Sequence, residues 1–294
     1  FMRLKLKNKL NKMNYFDYII YGLLIIFAFV TFYPLWYVII NSFNDGVDFL
    51  SGGTWLFTRK FTLANYKVVF LDNRLWTGFK NTVLRTVIGT SVSILYTSIV
   101  AYAFGRPNLR FKKFFQIFNL FTMFFSGGLI PFFLLINIIG LYDSFLVYIF
   151  PTMYSVYNMI IISSFFRGIS NEMHESARID GANEFIIWWS IYMPLSTPIL
   201  ITVGMWNALS HWNAYMATML YTQSESLITL QYFLMRLIKD ASIPEGLDGA
   251  LYEQITTTTL SFAAIIVSII PITIFYPSIL KMYIKGNFDG AIKG

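Results

Sequence analysis

Cysteine is absent from the 294-residue chain, which excludes disulfide staples, thiolate metal sites and cysteine nucleophiles. Charge is scarce too. Asp, Glu, Lys and Arg together make up 13% of the residues, against 56% hydrophobic and 19% aromatic, a balance that a water-soluble enzyme rarely carries. There are two histidines, His174 and His211, and neither H-E-x-x-H nor G-x-S-x-G occurs, so metal and serine chemistry lack their usual parts. No metal ligand and no catalytic residue is therefore expected; His174 reads as a solvated loop residue and His211 as an interfacial one. A Walker-type G-x-x-x-x-G-K-[ST] is missing as well, which leaves no cradle for nucleotide phosphates.

What the chain does have is apolar blocks long enough to cross a bilayer. At about 1.5 Å per residue, roughly 20 residues traverse the hydrocarbon core. Blocks near 15–40, 78–104, 114–139, 145–166, 187–215 and 255–283 meet that length. The fold class expected is all-α, a polytopic membrane protein with six transmembrane helices in one membrane domain over 15–285. Block 15–40 ends in Trp36, Tyr37 and Asn41, an interfacial anchor rather than a cleavage site, and so reads as retained. Phe1, ahead of Met2, is given no role.

Orientation follows from the basic residues, which a formal charge of +7 puts in excess. Arg3, Lys5, Lys7, Lys9 and Lys12 precede the first block within a basic segment over 1–14, and Arg106, Arg110, Lys112 and Lys113 separate the second from the third. Both segments lean to the cytoplasm. Six spans return the C-terminus to that side, where Lys281, Lys285 and Lys293 agree. Loops 44–77 and 217–254 then face outward, the latter with Glu225, Asp240, Glu245, Asp248 and Glu253 against Arg236 and Lys239. Arg59, Lys60, Lys67 and Arg74 run against the rule in a loop long enough to weaken their weight.

Pro34, Gly127, Gly128, Pro131, Pro194, Pro198, Pro271 and Pro277 interrupt the blocks. Each proline removes a backbone donor, and the freed carbonyls are tolerated in hydrocarbon mainly under other helices or along a wet cavity. Ordinary kinking explains any single one; together they favour a moving channel. Lys80 and Arg85 read as snorkelling toward the outer interface. Tyr96, Tyr102, Tyr154, Tyr157, Asn119, Asn137, Asn158 and Asn207 suit either a polar path for a hydroxyl-rich solute or interhelical hydrogen bonds.

Between the fourth and fifth blocks lies a polar inner loop, 169–187. Ser170 or Asn171 can cap a helix start, Glu172 and Glu175 then fall where the helix dipole favours acids, and Asp180-Gly181 signals a break. A short helix with a sharp end is predicted. Ala177, Gly181 and Ala182 are small enough to let another surface approach, which suits a docking element. A capped surface helix with a Glu175–Arg178 ion pair would show the same pattern.

Glu175-Ser176-Ala177-Arg178-Ile179-Asp180-Gly181-Ala182, followed by Ile191-Tyr192-Met193-Pro194 and Pro198, resembles the EAA loop of binding-protein-dependent ABC importer permeases. Ser176 and Met193 depart mildly from the family pattern while the spacing is kept. The resemblance continues through Leu63-Ala64-Asn65-Tyr66, Asn81-Thr82, Ala101 to Phe104 with Arg106, Trp212-Asn213, and the tail Tyr283 to Gly294. These match the carbohydrate-uptake branch, in its six-span subunit of the maltose-importer type. The run Phe125 to Pro131 is similar to the oligosaccharide subset.

The resemblance implies a type I ABC importer permease fold with a cytoplasmic coupling helix. By that likeness, Glu175, Ser176, Ala177, Asp180, Gly181 and Ala182 couple the spans to two cytoplasmic ATPase subunits. It further implies a second, homologous permease as heterodimer partner and an extracytoplasmic substrate-binding protein entered by the 217–254 loop, with the 286–294 tail reaching between the ATPases. No cofactor would be bound by this chain; ATP and Mg would sit on the partner subunits. The setting implied is a bacterial cell membrane with both termini cytoplasmic, and a bulky residue at Gly181 is expected to uncouple ATP use from transport. Substrate-contacting residues are not assigned. An ABC permease for another solute class and an ion-coupled secondary transporter are the alternatives, the latter disfavoured by spans nearly free of carboxylates apart from Asp17.

Overall fold

The computed structural model describes residues 14–107, 109–240 and 249–291, so the basic cluster from Arg3 through Lys12, together with Glu245, Asp248 and Lys293, lies outside the described residues. The main helices, in chain order, are α1 (Tyr15–Ser42), α2 (Asn73–Gly105), α3 (Lys112–Phe124), α4 (Leu129–Ile138), α5 (Val156–Arg167), α6 (Asn171–Ile179), α7 (Glu184–Ile187), α8 (Thr197–Asn213), α9 (Met216–Tyr221), α10 (Leu230–Asp240) and α11 (Thr257–Ala291). Among the described residues the only β feature is an isolated bridge between Asn44 and Phe61.

Among the described residues, three helices are long and apolar enough to cross a membrane: α1, α2 and the 257–274 stretch of α11. The third, fourth and fifth expected spans are bent pairs. α3 and α4 meet at 112° across Phe125–Gly128, Phe145–Thr152 meets α5 at 50°, and Glu184–Leu195 meets α8 at 84°. If each pair counts as one crossing the total reaches six. The reason for the sharpest bend is local, since Gly128 takes φ +87° just before Leu129 opens a new helix. Pro34, Pro271 and Pro277, by contrast, sit inside helices that continue through them. Helix α11 also runs on to Ala291, so most of the expected 286–294 tail is helical backbone.

The chain divides into two compact units, 1–71 with 241–267 and 72–240 with 268–294. In the first, Asn65 is a buried hub. Its amide donates to the carbonyls of Ser42 (3.0 Å) and Asn44 (2.9 Å), and its Oδ1 accepts from the Thr259 hydroxyl at 2.8 Å. Asn41 does the same for Thr54, accepting from its N–H and hydroxyl at 3.0 Å each. Buried backbone groups between helices need such partners, and these asparagines supply them. The apolar face of α1, from Phe16 through Phe32, remains exposed.

In the second unit, α2 is the central strut. A stripe of small and polar residues, Gly78, Thr82, Gly89, Ser93, Thr97 and Ala101, is buried along one side, the pattern that lets membrane helices approach closely. At Gly89 a Cβ would lie 2.4 Å from the His211 ring, so only glycine admits α8 there. Asn207 on α8 donates to Ser93 Oγ and accepts from the Asn158 amide, each at 3.1 Å. Asn158 and Asn207 therefore join helices α2, α5 and α8 rather than standing free along a channel.

Two sequence expectations fail here. Arg85 does not snorkel: it is 2% exposed, its guanidinium 4.5 Å from the Tyr148 ring centre, with Nη1 donating to the Ala214 carbonyl at 3.2 Å. His211 is likewise buried between helices and not interfacial. On the side where loops 141–144 and 217–254 meet, Asp143 Oδ1 accepts from the N–H groups of Gln223 (2.8 Å) and Ser224 (2.9 Å), and Ser224 Oγ donates to Oδ2 at 2.5 Å. Those bonds hold the Asp143 carboxyl below its usual pKa.

Candidate functional site

The polar loop after α5 folds as its capping residues dictate. Ser170 Oγ accepts from the Glu172 N–H at 3.2 Å and starts α6, with Glu172 in the first turn and Arg178 in the last. The helix ends on a Schellman motif: the Ala182 N–H reaches back to the Ala177 carbonyl (2.9 Å), and the Gly181 N–H to that of Arg178 (3.0 Å). Gly181 takes φ +85°, a conformation that costs other residues about 1–2 kcal/mol. Asn183 then caps α7 through the Ile186 N–H at 2.9 Å.

This geometry gives the small residues a role different from the one expected. Ala177 and Ala182 pack inward against the apolar core of the second unit. A Cβ at Gly181 would meet nothing within 4 Å, so its glycine serves the turn. Glu175, Ser176, Asp180 and Gly181 are exposed. Ile179 is 86% exposed, a large apolar side chain on a polar helix that the sequence reading passed over. No salt bridge links Glu175 to Arg178 among the described residues.

The underside of α6 is anchored by His174, which the sequence reading placed in solvent. It is 1% exposed. Its Nδ1 lies 3.5 Å from Tyr102 Oη of α2, and its Nε2 lies 3.6 Å from Glu184 Oε1, too long for a hydrogen bond. The Tyr102 hydroxyl donates to Glu184 Oε2 at 2.5 Å. Around them Tyr102 and Tyr192 meet edge-on at 4.8 Å, Phe166 joins both, and Arg106 donates to the Tyr192 hydroxyl at 3.2 Å. Burial, and then the nearby Arg106 charge, push the His174 pKa below the usual histidine value. The signal for this box was faint in the sequence, because Tyr102 lies 72 residues from His174.

Immediately after α7 the ladder widens into a π-turn over Trp188–Tyr192, followed by Pro194 and the 84° bend into α8. π-turns inside helices mark functional positions often enough to be noted. Nothing in this assembly offers a nucleophile with a base. The assembly is an exposed short helix whose buried side is fastened to α2 and to the segment leading into α8.

No protein-family model matches the chain. Relatives do, over nearly its full length. It is 34% identical to the polygalacturonan/rhamnogalacturonan transport system permease protein YtcP of Bacillus subtilis, over 98% of this chain and 100% of that one. Protein LplC of the same organism is 30% identical, with 90% of each chain covered. The chain belongs to the carbohydrate-uptake permeases of ABC transporters. A solved structure of a bacterial ABC transporter involved in the import of the acidic polysaccharide alginate superposes on this permease with a TM-score of 0.86 and 34% identity, covering 90% of this chain and 95% of that one. As a permease it is an integral membrane transport subunit, not an enzyme, and ATPase and binding-protein partners go with that class.

Proposed function

We propose that this chain is one of two homologous permease subunits in a bacterial plasma-membrane importer. Two partner ATPases, binding ATP and Mg, drive the uptake of an oligosaccharide delivered by an extracytoplasmic binding protein. In this reading the three straight helices and three bent pairs make six crossings, both termini are cytoplasmic, and α6 enters a cleft on an ATPase subunit. The domain layout is a basic segment over 1–14, the membrane domain over 15–285 and a cytoplasmic end over 286–294. The observation that carries the reading is the two-sided build of α6. Its outer face presents Glu175, Ser176, Ile179 and Asp180, while His174, Ala177 and Ala182 tie its inner face to the spans. A push on the outer face is thereby delivered to α2 through His174 against Tyr102, and through the turn at Gly181 to the segment leading into α8, rather than lost in a flexible loop.

The solute favoured is a uronate-containing, acidic oligosaccharide, because a relative named for polygalacturonan and a solved neighbour that imports alginate match this chain equally well. The 217–254 loop is assigned to the binding protein's side.

The chain's lack of cysteine makes the coupling test clean. Ile179→Cys in the assembled importer should cross-link to a single cysteine placed in the ATPase cleft, and the yield should change when ATP is added. Labelling of that cysteine from the outside of intact cells, with no cross-link, overturns the proposal.

A further inference from the structure

Beside the coupling helix lies a cavity of about 520 Å³ whose contents the transport reading does not explain. Its walls are largely apolar, with Ile99 on the exposed side of α2 and Phe185 and Trp188 on the segment after α6. Arg106, at the end of α2, and Arg178, on α6, line it as well, and neither forms a salt bridge among the described residues. Trp188 is buried, packs 5.3 Å from the Phe185 ring, and its Nε1–H has no acceptor. The one acid on the wall, Glu184, is held by the Tyr102 hydroxyl at 2.5 Å.

Two guanidiniums without a carboxylate partner, on a cavity whose other walls are mostly apolar, call for an anionic group carried on an apolar body. We infer that the cavity holds the phosphodiester headgroup of an anionic phospholipid, its acyl chains lying along the exposed Ile99 side of α2. The charge and the position both favour a lipid over a soluble anion. Arg106 caps a membrane-crossing helix, Trp188 and Trp189 are interfacial residue types, and the adjoining Arg110, Lys112 and Lys113 add positive charge. Since Arg106 contacts Tyr192 and Arg178 belongs to α6, a bound headgroup would bridge α2 and the coupling helix. The inference rests on the inner-face placement of α6 proposed above.

The test uses the whole importer reconstituted in nanodiscs of phosphatidylcholine with phosphatidylglycerol, with retained lipid counted by native mass spectrometry. The parent protein should retain phosphatidylglycerol selectively. Arg106→Gln with Arg178→Gln should lower that retention roughly tenfold or more, given about 1 kcal/mol per basic residue near an anionic surface. Arg106→Lys with Arg178→Lys should retain most of it in a protein that still assembles. Unchanged retention in the glutamine variant overturns the inference. So does displacement of the lipid by excess inorganic phosphate, which makes the site one for a soluble anion, and so does retention that persists while ATPase binding is lost, which makes it a protein contact. Absence of selective phosphatidylglycerol retention in the parent protein, with the Ile179→Cys cross-link intact, would sink this inference alone; loss of the cross-link with lipid retained would sink the coupling reading alone.

Discussion

At Gly181 the backbone sits at φ +85° with open space where a side chain would project. A bulky replacement there acts first on the turn and only then on any partner. Gly181→Leu should raise the free energy of the capped α6 by about 1–2 kcal/mol, uncoupling ATP hydrolysis from transport, while Gly181→Asn, which tolerates the left-handed region better, should keep more of the coupling. Side-by-side ATPase and transport rates in proteoliposomes check this; equal coupling in the glycine, asparagine and leucine proteins would show that the turn is dispensable. Burial was the property least legible in single residues. Arg85 and His174 read as solvated because isolated charge and histidine between apolar blocks normally are, yet Tyr148 and Tyr102, 63 and 72 positions away in the chain, enclose them.

The element that matters most is α6 with its histidine underside. His174 has a folded pKa below its unfolded value, so folding favours the neutral ring. Its contribution to docking is full above the ordinary histidine pKa of about 6.5 and is lost as pH falls toward the lower folded value. Glu184, facing the ring, opposes this shift, while Arg106 and Arg178 reinforce it. Protection against hydrogen exchange over 171–180, taken relative to the intrinsic amide rate at each pH, should therefore fall between pH 7.5 and 5.5 (approximate bounds set by the same histidine value), and His174→Gln should flatten that dependence. Identical pH profiles for the two proteins would remove His174 from the anchor. The helix itself was readable: Ser170, Glu172 and the Asp180-Gly181 pair gave its start and stop. Two of the three bends fall at breaks the sequence offered, Gly127-Gly128 and the Pro194/Pro198 region, while their angles and the π-turn over Trp188–Tyr192 were not readable, because apolar composition registers a crossing without registering how sharply it folds.

For the molecule as a whole, the sequence carried the class through the spacing of 175–182 and the apolar blocks, and relatives across nearly all of the chain agree with it. Substrate choice was beyond reach: Asn158 and Asn207 suited a polar path or interhelical hydrogen bonds alike, and they spend their amides on neighbouring helices. If the solute is acidic, the reconstituted importer with its binding protein should take up an oligogalacturonate or oligomannuronate and leave a neutral maltooligosaccharide of equal length outside. Competition by the neutral sugar at equal concentration would shift the assignment to uncharged oligosaccharides. One local irregularity then acquires wider meaning. The π-turn over Trp188–Tyr192 holds one residue more than a regular turn needs, so moving that surplus one step along the chain swings each passed side chain by about 100° without breaking the ladder at either end. Such a shift ends where Pro194 and the 84° bend interrupt the ladder ahead of α8, so it re-aims the Trp188–Tyr192 side chains like a ruck in a carpet, with neither edge having to slide.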